Sequence, residues 1–170
     1  MPVRYFMQLS YDGTPFCGWQ VQPDAPSVQE TIEQALATLL RKPTALMGCG
    51  RTDTGVHARE FFAHFDAETD WDAAACTNFA YKLNCILPRE ISIARIFPVS
   101  PDAHARFDAV ERTYRYYIST HKNAFNFAHC YLFLKPLDVD KMNEAAEVLL
   151  ETEDFTSFSK LHTQVNNNRC

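Results

Sequence analysis

Apolar positions recur along this chain with two spacings, every second residue and every third or fourth, and the changes between them mark its elements. Residues 3–12 are rich in aromatic and branched side chains and stop at Asp12-Gly13-Thr14-Pro15, which predicts a strand closed by a turn. An aromatic loop, Phe16-Cys17-Gly18-Trp19-Gln20, follows. Ser27 with Glu30 three residues on has capping-box spacing. Val28, Ile32, Ala35, Leu36 and Leu39 then share a helical face that ends near Lys42-Pro43. After the short apolar run Ala45-Leu46-Met47 and a glycine-rich connection, Phe61, Ala63 and Phe65 alternate with Phe62, His64 and Asp66 as in a strand. A second helix is expected over 71–87, with Ala75, Phe79, Leu83 and Ile86 on its apolar face and Pro88 just past its end. Residues 91–97 read as a further strand, ended by Pro98 and Pro101.

Strand, helix, strand, strand, helix, strand is the order of the ferredoxin-like (RNP-like) split βαβ unit, an α+β fold whose antiparallel sheet carries its helices on one face. The other face is then left to meet a ligand. Farther on, 110–120 alternate so that Arg112, Tyr114, Tyr116 and Ile118 share one face and Thr113, Arg115 and Tyr117 the other, which predicts another strand. Residues 130–134 predict a short strand, and Asp138 or Asp140 caps a third helix whose apolar side holds Met142, Ala145, Ala146 and Leu149. The chain then runs through Asp154-Phe155-Thr156-Ser157-Phe158-Ser159 to the polar stretch Asn166-Asn167-Asn168-Arg169-Cys170 with no further strand pattern. The expected domains are 1–103, a ferredoxin-like α+β unit holding the glycine-rich connection, and 104–170, the start of a second α+β half that is truncated.

Composition narrows the classes. With 170 residues, 46% of them hydrophobic and 22% charged, the chain can bury a core and shows no sign of disorder. Its net charge of -5 provides no global basic field, so binding to nucleic acid has to rest on a local patch. One exists: between 104 and 122, Arg106, Arg112, Arg115 and Lys122 face only Asp108 and Glu111, 4 cations against 2 anions, a local +2. Interleaved with Tyr114, Tyr116 and Tyr117, these arginines pair phosphate contacts with flat surfaces for stacking a base. The same pattern suits an exposed cross-strand ladder of Arg and aromatic residues. Six cysteines without a C-x-x-C pair read as reduced thiols of a cytoplasmic protein. Met1-Pro2-Val3-Arg4-Tyr5-Phe6 has no apolar signal segment and no run is long enough to span a bilayer, so neither secretion nor membrane insertion is expected.

The densest chemistry lies in Gly48-Cys49-Gly50-Arg51-Thr52-Asp53-Thr54-Gly55-Val56-His57-Ala58-Arg59. Gly50 and Gly55 bracket Asp53, and Arg51 stands beside it, so a carboxylate is presented between two flexible points; an Asx turn would use the same residues. His57, His64 and Cys49 match no zinc spacing, and no metal is expected. P-loop, G-x-G-x-x-G and serine-hydrolase signatures are absent, which removes nucleotide hydrolysis, hydride transfer and serine hydrolysis from the leading classes.

Gly50-Arg51-Thr52-Asp53-Thr54-Gly55-Val56-His57-Ala58 closely resembles the G-R-T-D-x-G-V-H motif of the tRNA pseudouridine synthase A family. Tyr11-Asp12-Gly13 with Gly18-Trp19-Gln20, His104-Ala105-Arg106-Phe107, Arg112-Thr113-Tyr114-Arg115-Tyr116 and Asp154-Phe155-Thr156-Ser157-Phe158 agree in order, so the resemblance runs from residue 3 to about 160. It implies an isomerase that converts uridine to pseudouridine at positions 38, 39 and 40 of the tRNA anticodon stem-loop. Asp53 would be the catalytic aspartate, attacking the sugar or first removing a proton. Tyr114 would pack on the target base, Arg51 would hold the nucleotide out of the stack, and Arg106 would contact substrate. No cofactor and no metal are implied, and the complete protein is expected to be a cytoplasmic homodimer with tRNA as its partner. Family members continue past residue 170, and the basic residue that pairs with the catalytic aspartate has no match here, so the chain alone is expected to be weak or inactive. The alternative is a non-catalytic RNA-binding module of ferredoxin-like fold.

Overall fold

The computed structural model describes residues 2–158; Ser159 and the asparagine-rich stretch lie outside the described residues. Two compact units divide the chain, Met1–Arg112 and Thr113–Cys170.

The first unit is an α+β domain with elements β1 (Val3–Tyr11), α1 (Val28–Leu40), β2 (Met47–Gly48), β3 (Ala58–Ala67), α2 (Ala73–Ile86) and β4 (Ile91–Pro98). Its four strands form one sheet in the order β2-β3-β1-β4, and every pairing is antiparallel. The period-two pattern of β1 sets the register: Tyr5, Met7, Leu9 and Tyr11 are buried and lie opposite Phe65, Ala63, Phe61 and Ala58 of β3. Val28, Ile32, Ala35 and Leu36 of α1 and Cys76, Phe79, Ala80 and Leu83 of α2 belong to the same core cluster. Each fully buried aliphatic side chain among them contributes about 1.5–3 kcal/mol.

Polar groups inside that core are paired. Tyr5 donates its hydroxyl to the Thr69 carbonyl at 2.7 Å and accepts the Trp71 N–H at 2.8 Å, which ties the turn before α2 to the centre of the sheet. Asn84 of α2 takes both backbone groups of Ile93, each at 2.8 Å, fastening helix to edge strand. Ser27 caps α1 by accepting the Glu30 N–H at 3.2 Å, and Asp72 caps α2 by accepting that of Ala75 at 2.7 Å.

Two expectations need correction here. The second helix starts at Ala73 rather than 71, and Ile86, expected on its apolar face, is 46% exposed, while Cys76, Ala80 and Leu87 are buried. The buried positions Cys76, Phe79, Ala80, Leu83 and Leu87 follow one another at i, i+3, i+4, i+7 and i+11 on a single face, and Ile86 falls to the side of it in the last turn.

In the second unit, β5 (Ile118–Ser119) pairs in parallel with β6 (Tyr131–Leu132), and α3 (Val139–Leu150) follows, with Asp138 as its cap, then a 3₁₀ turn over Thr156–Phe158. The predicted strand over 110–120 shrinks to two residues. Alternation offers a face but not a hydrogen-bonding neighbour, and among the described residues only Ile118 and Ser119 meet one. No described residue from 113 onward is buried, and no helix of the described residues is long and apolar enough to cross a membrane.

Candidate active-site loop and the sheet face beside it

Residues 49–57 connect β2 to β3, and their backbone is pinned on both sides of Asp53. On one side, Thr52 accepts the Trp19 N–H at 3.1 Å through its carbonyl, and its hydroxyl lies 2.9 Å from that of Tyr11. On the other, the Gly55 N–H donates to the Phe16 carbonyl at 3.3 Å, and the Val56 N–H closes a turn onto the Asp53 carbonyl at 3.2 Å. The pins are themselves rigid. Trp19 and Tyr11 are core residues, and the Trp19 ring lies 4.2 Å from that of Phe61. Gly18, at φ +92°, has the Thr52 carbonyl so close that a side chain would collide with it. Asp12 and His57 continue the seam, with Asp12 Oδ1 3.0 Å from His57 Nδ1.

The Asp53 side chain is exposed, and its carboxylate has no hydrogen-bond or ion-pair partner among the described residues. A turn-forming or capping aspartate uses its oxygens on nearby N–H groups, as Asp12 does with Thr14 at 2.9 Å and Asp154 with Thr156 at 2.9 Å. Asp53 does neither, so a fixed backbone holds out an uncommitted carboxylate. Arg51, two residues back, is also exposed.

The sheet face away from the helices is polar and aromatic. Arg4 grips Asp66 through two bonds of 2.8 and 2.9 Å. Gln8 donates to Glu60 and accepts from Arg95, each at 2.6 Å, and the Arg95 guanidinium lies 4.9 Å over the Phe97 ring. The 104–108 turn rests on this face. Arg4 donates to the Ala103 carbonyl at 3.1 Å, and the buried Ala105 gives its N–H to His64 Nδ1 at 3.1 Å. Asp108 closes the turn by accepting the His104 N–H at 2.7 Å. His64 stacks on Phe6 and meets His104 edge-on at 4.7 Å; burial first, then the charges of Arg4 and His104, push its pKa below the usual histidine value. Its Nδ1 is taken by Ala105, which leaves that atom unable to hold a metal.

Arg106, at the top of this turn, lies 5.7 Å over the Phe107 ring, and Phe107 is 75% exposed. Arg112 joins turn and loop, donating to the carbonyls of both Cys49 and Arg106. Asp53, Arg51 and Arg106 therefore all belong to the first unit. Tyr114 belongs to the second, on the irregular segment before β5, where its side chain is 69% exposed.

No family model matches the chain. Curated proteins do. It is similar to a tRNA pseudouridine synthase A of Bacteroides fragilis, 54% identical over 167 residues, which cover 98% of this chain and 66% of that protein. It is similar to one of Porphyromonas gingivalis at 51%, with the same coverage, and to tRNA pseudouridine synthase A 1 of Protochlamydia amoebophila at 39%, over 91% of this chain and 60% of that protein. The chain belongs to the tRNA pseudouridine synthase A family. It spans just under two thirds of the length of these relatives.

The family motif thus coincides with the pinned loop, and the second motif, His104-Ala105-Arg106-Phe107, is the turn laid against the open sheet face. Sequence reasoning did not find what holds them. Beyond their places in the motifs, nothing in the sequence assigned a partner to Tyr11, Trp19 and Thr52, and Arg112 read as one arginine of an alternating strand and of the local basic patch. Their hydrogen bonds cross 33 to 63 residues of chain, and neither periodicity nor a local motif reports such partners.

Proposed function

We propose that this chain carries the catalytic carboxylate and part of the RNA surface of a tRNA pseudouridine synthase. The reaction converts uridine to pseudouridine at positions 38, 39 and 40 of the anticodon stem-loop. The observation that carries the proposal is the Asp53 carboxylate, exposed and without a partner among the described residues on a backbone pinned at Thr52 and Gly55. Support comes from the relatives, which bear the name of that activity over 98% of this chain. The conversion is an isomerisation: the bond from the sugar to N1 breaks, the base turns, a bond to C5 forms, and the proton from C5 is replaced by one on N1. Nothing is oxidised or reduced, so carboxylate chemistry with a proton acceptor suffices and no cofactor is required.

Asp53 acts at the sugar or at its proton. Tyr114 packs on the extruded base, while Arg51 and Arg106 hold the nucleotide and its phosphates, offsetting part of the few kcal/mol that unstacking costs. The strand order β2-β3-β1-β4 with both helices in one core agrees with a ferredoxin-like unit, whose open face then receives RNA. The complete protein works as a cytoplasmic homodimer on tRNA.

Asp53→Ala tests this in a chain extended to its relatives' full length, assayed for pseudouridine in an anticodon stem-loop. Turnover is expected to fall below detection while affinity for the RNA survives. Retained turnover would reduce Asp53 to a turn residue and the chain to an RNA-binding module.

A further inference from the structure

Arg112 has no part in the roles proposed for Asp53, Arg51, Arg106 and Tyr114, yet its side chain hydrogen-bonds both the glycine-rich loop and the 104–108 turn. Its Nε and Nη2 both donate to the Cys49 carbonyl, at 2.9 and 2.7 Å, and Nη2 donates again to the Arg106 carbonyl at 2.7 Å. No carboxylate lies within 4.0 Å of it among the described residues, so backbone oxygens alone hold the guanidinium. Reaching one carbonyl with two N–H groups and a second with the same fork needs the planar, five-donor head of arginine, and an ammonium cannot reproduce it.

Gly50 supplies an independent observation. Its φ is not among the positive ones, so no unusual backbone requires glycine there. A Cβ at that position would instead lie 3.2 Å from Arg112 Nε and 3.5 Å from its Cδ. The missing side chain is the room the guanidinium occupies.

Building on the reading of Asp53 as the catalytic carboxylate, we infer that Arg112 is a positioning residue for the reaction. It fixes the entry of the loop, four residues before Asp53, and at the same time fixes the turn that carries Arg106. The loop is thus held at Cys49 by Arg112, at Thr52 by Trp19 and Tyr11, at Gly55 by Phe16 and at His57 by Gly13 and Asp12. Of these, only the Arg112 anchor joins it to a second group that faces RNA. Loss of this anchor lets loop and turn move independently when a nucleotide is drawn between them.

The test compares Arg112→Lys, Arg112→Ala, Gly50→Ala and the double variant Arg112→Lys/Gly50→Ala in the chain extended to its relatives' full length. Arg112→Lys and Gly50→Ala are each expected to lower kcat roughly 10- to 100-fold, the scale of a misplaced reacting group, with KM little changed. The double variant should be no worse than the poorer single one, because both substitutions break the same contact. The slope of RNA affinity against salt should be unchanged in Arg112→Ala. In the 170-residue chain, amide hydrogens of residues 50–55 should exchange faster in Arg112→Lys, while those of β1 and β3 keep their protection. Full turnover in Arg112→Lys overturns the inference. So does a loss confined to KM with a salt slope shallower by about one in Arg112→Ala, which would make Arg112 a phosphate contact. If the unsubstituted extended chain has no activity, the functional reading fails, and unchanged amide exchange in Arg112→Lys would overturn the inference separately.

Discussion

Gly18 and Gly55 both have left-handed backbone, φ +92° and +77°, but their surroundings differ. A side chain at Gly55 would enter open space, whereas one at Gly18 would meet the carbonyl of Thr52, the residue before Asp53. Gly55→Ala is therefore expected to cost about 1–2 kcal/mol from backbone strain alone. Gly18→Ala adds a collision and is expected to cost about 2–5 kcal/mol. Urea unfolding of both variants checks the ranking, and equal losses would mean that the loop at Thr52 yields to the new methyl group. At this scale the sequence was informative about residue type and silent about partners. The carboxylate, the arginines and the glycines of the loop were all legible. That Thr52 is the pinned residue was not, because its partners Tyr11 and Trp19 are brought to it by the sheet.

At the scale of elements, β3 presents one residue to the 104–108 turn in a form that titrates. His64 is 7% exposed and accepts the Ala105 N–H, and its pKa is lowered chiefly by burial. The unfolded chain thus takes up the proton first, so the histidine's contribution to stability is complete above its ordinary value of 6.5 and is lost as pH falls from there through the lower folded value. Asp66 on the same strand is held low by its hydrogen bond to Arg4, so its contribution is present above the ordinary carboxylate value and disappears only in stronger acid. Unfolding free energies measured between pH 8 and 5 should decline in the wild type and stay flatter in His64→Gln. Matching slopes would show that His64 does not carry the pH dependence. Elements with an apolar stripe or strict alternation in the first unit, such as β1, α1 and β3, could be read directly from the chain. The 110–120 strand could not, because a strand exists only where a neighbour accepts its hydrogen bonds.

Across the whole molecule, every residue of the core cluster lies in the first unit, from Tyr5 to Ile96, and the buried Ala105 extends that unit through the motif turn. Residues 1–112 are accordingly expected to fold alone, with a thermal midpoint within a few degrees of that of the 170-residue chain. Calorimetry on both checks this, and loss of a cooperative transition in 1–112 would count against it. The first unit runs to Arg112, with Ala105 and Arg112 bonded to His64 and Cys49 within it. By itself, the sequence determined the order of strands and helices in the first unit, most of the faces they bury and the loop that bears Asp53. These follow from local periodicity and from residue chemistry, which any stretch of chain displays without its neighbours. Only the tertiary structure decided that Asp53 has no partner among the described residues while the residues around it are pinned, and that one arginine joins loop and turn. Those features depend on contacts between residues far apart in the chain, which exist only once the antiparallel sheet has set its register.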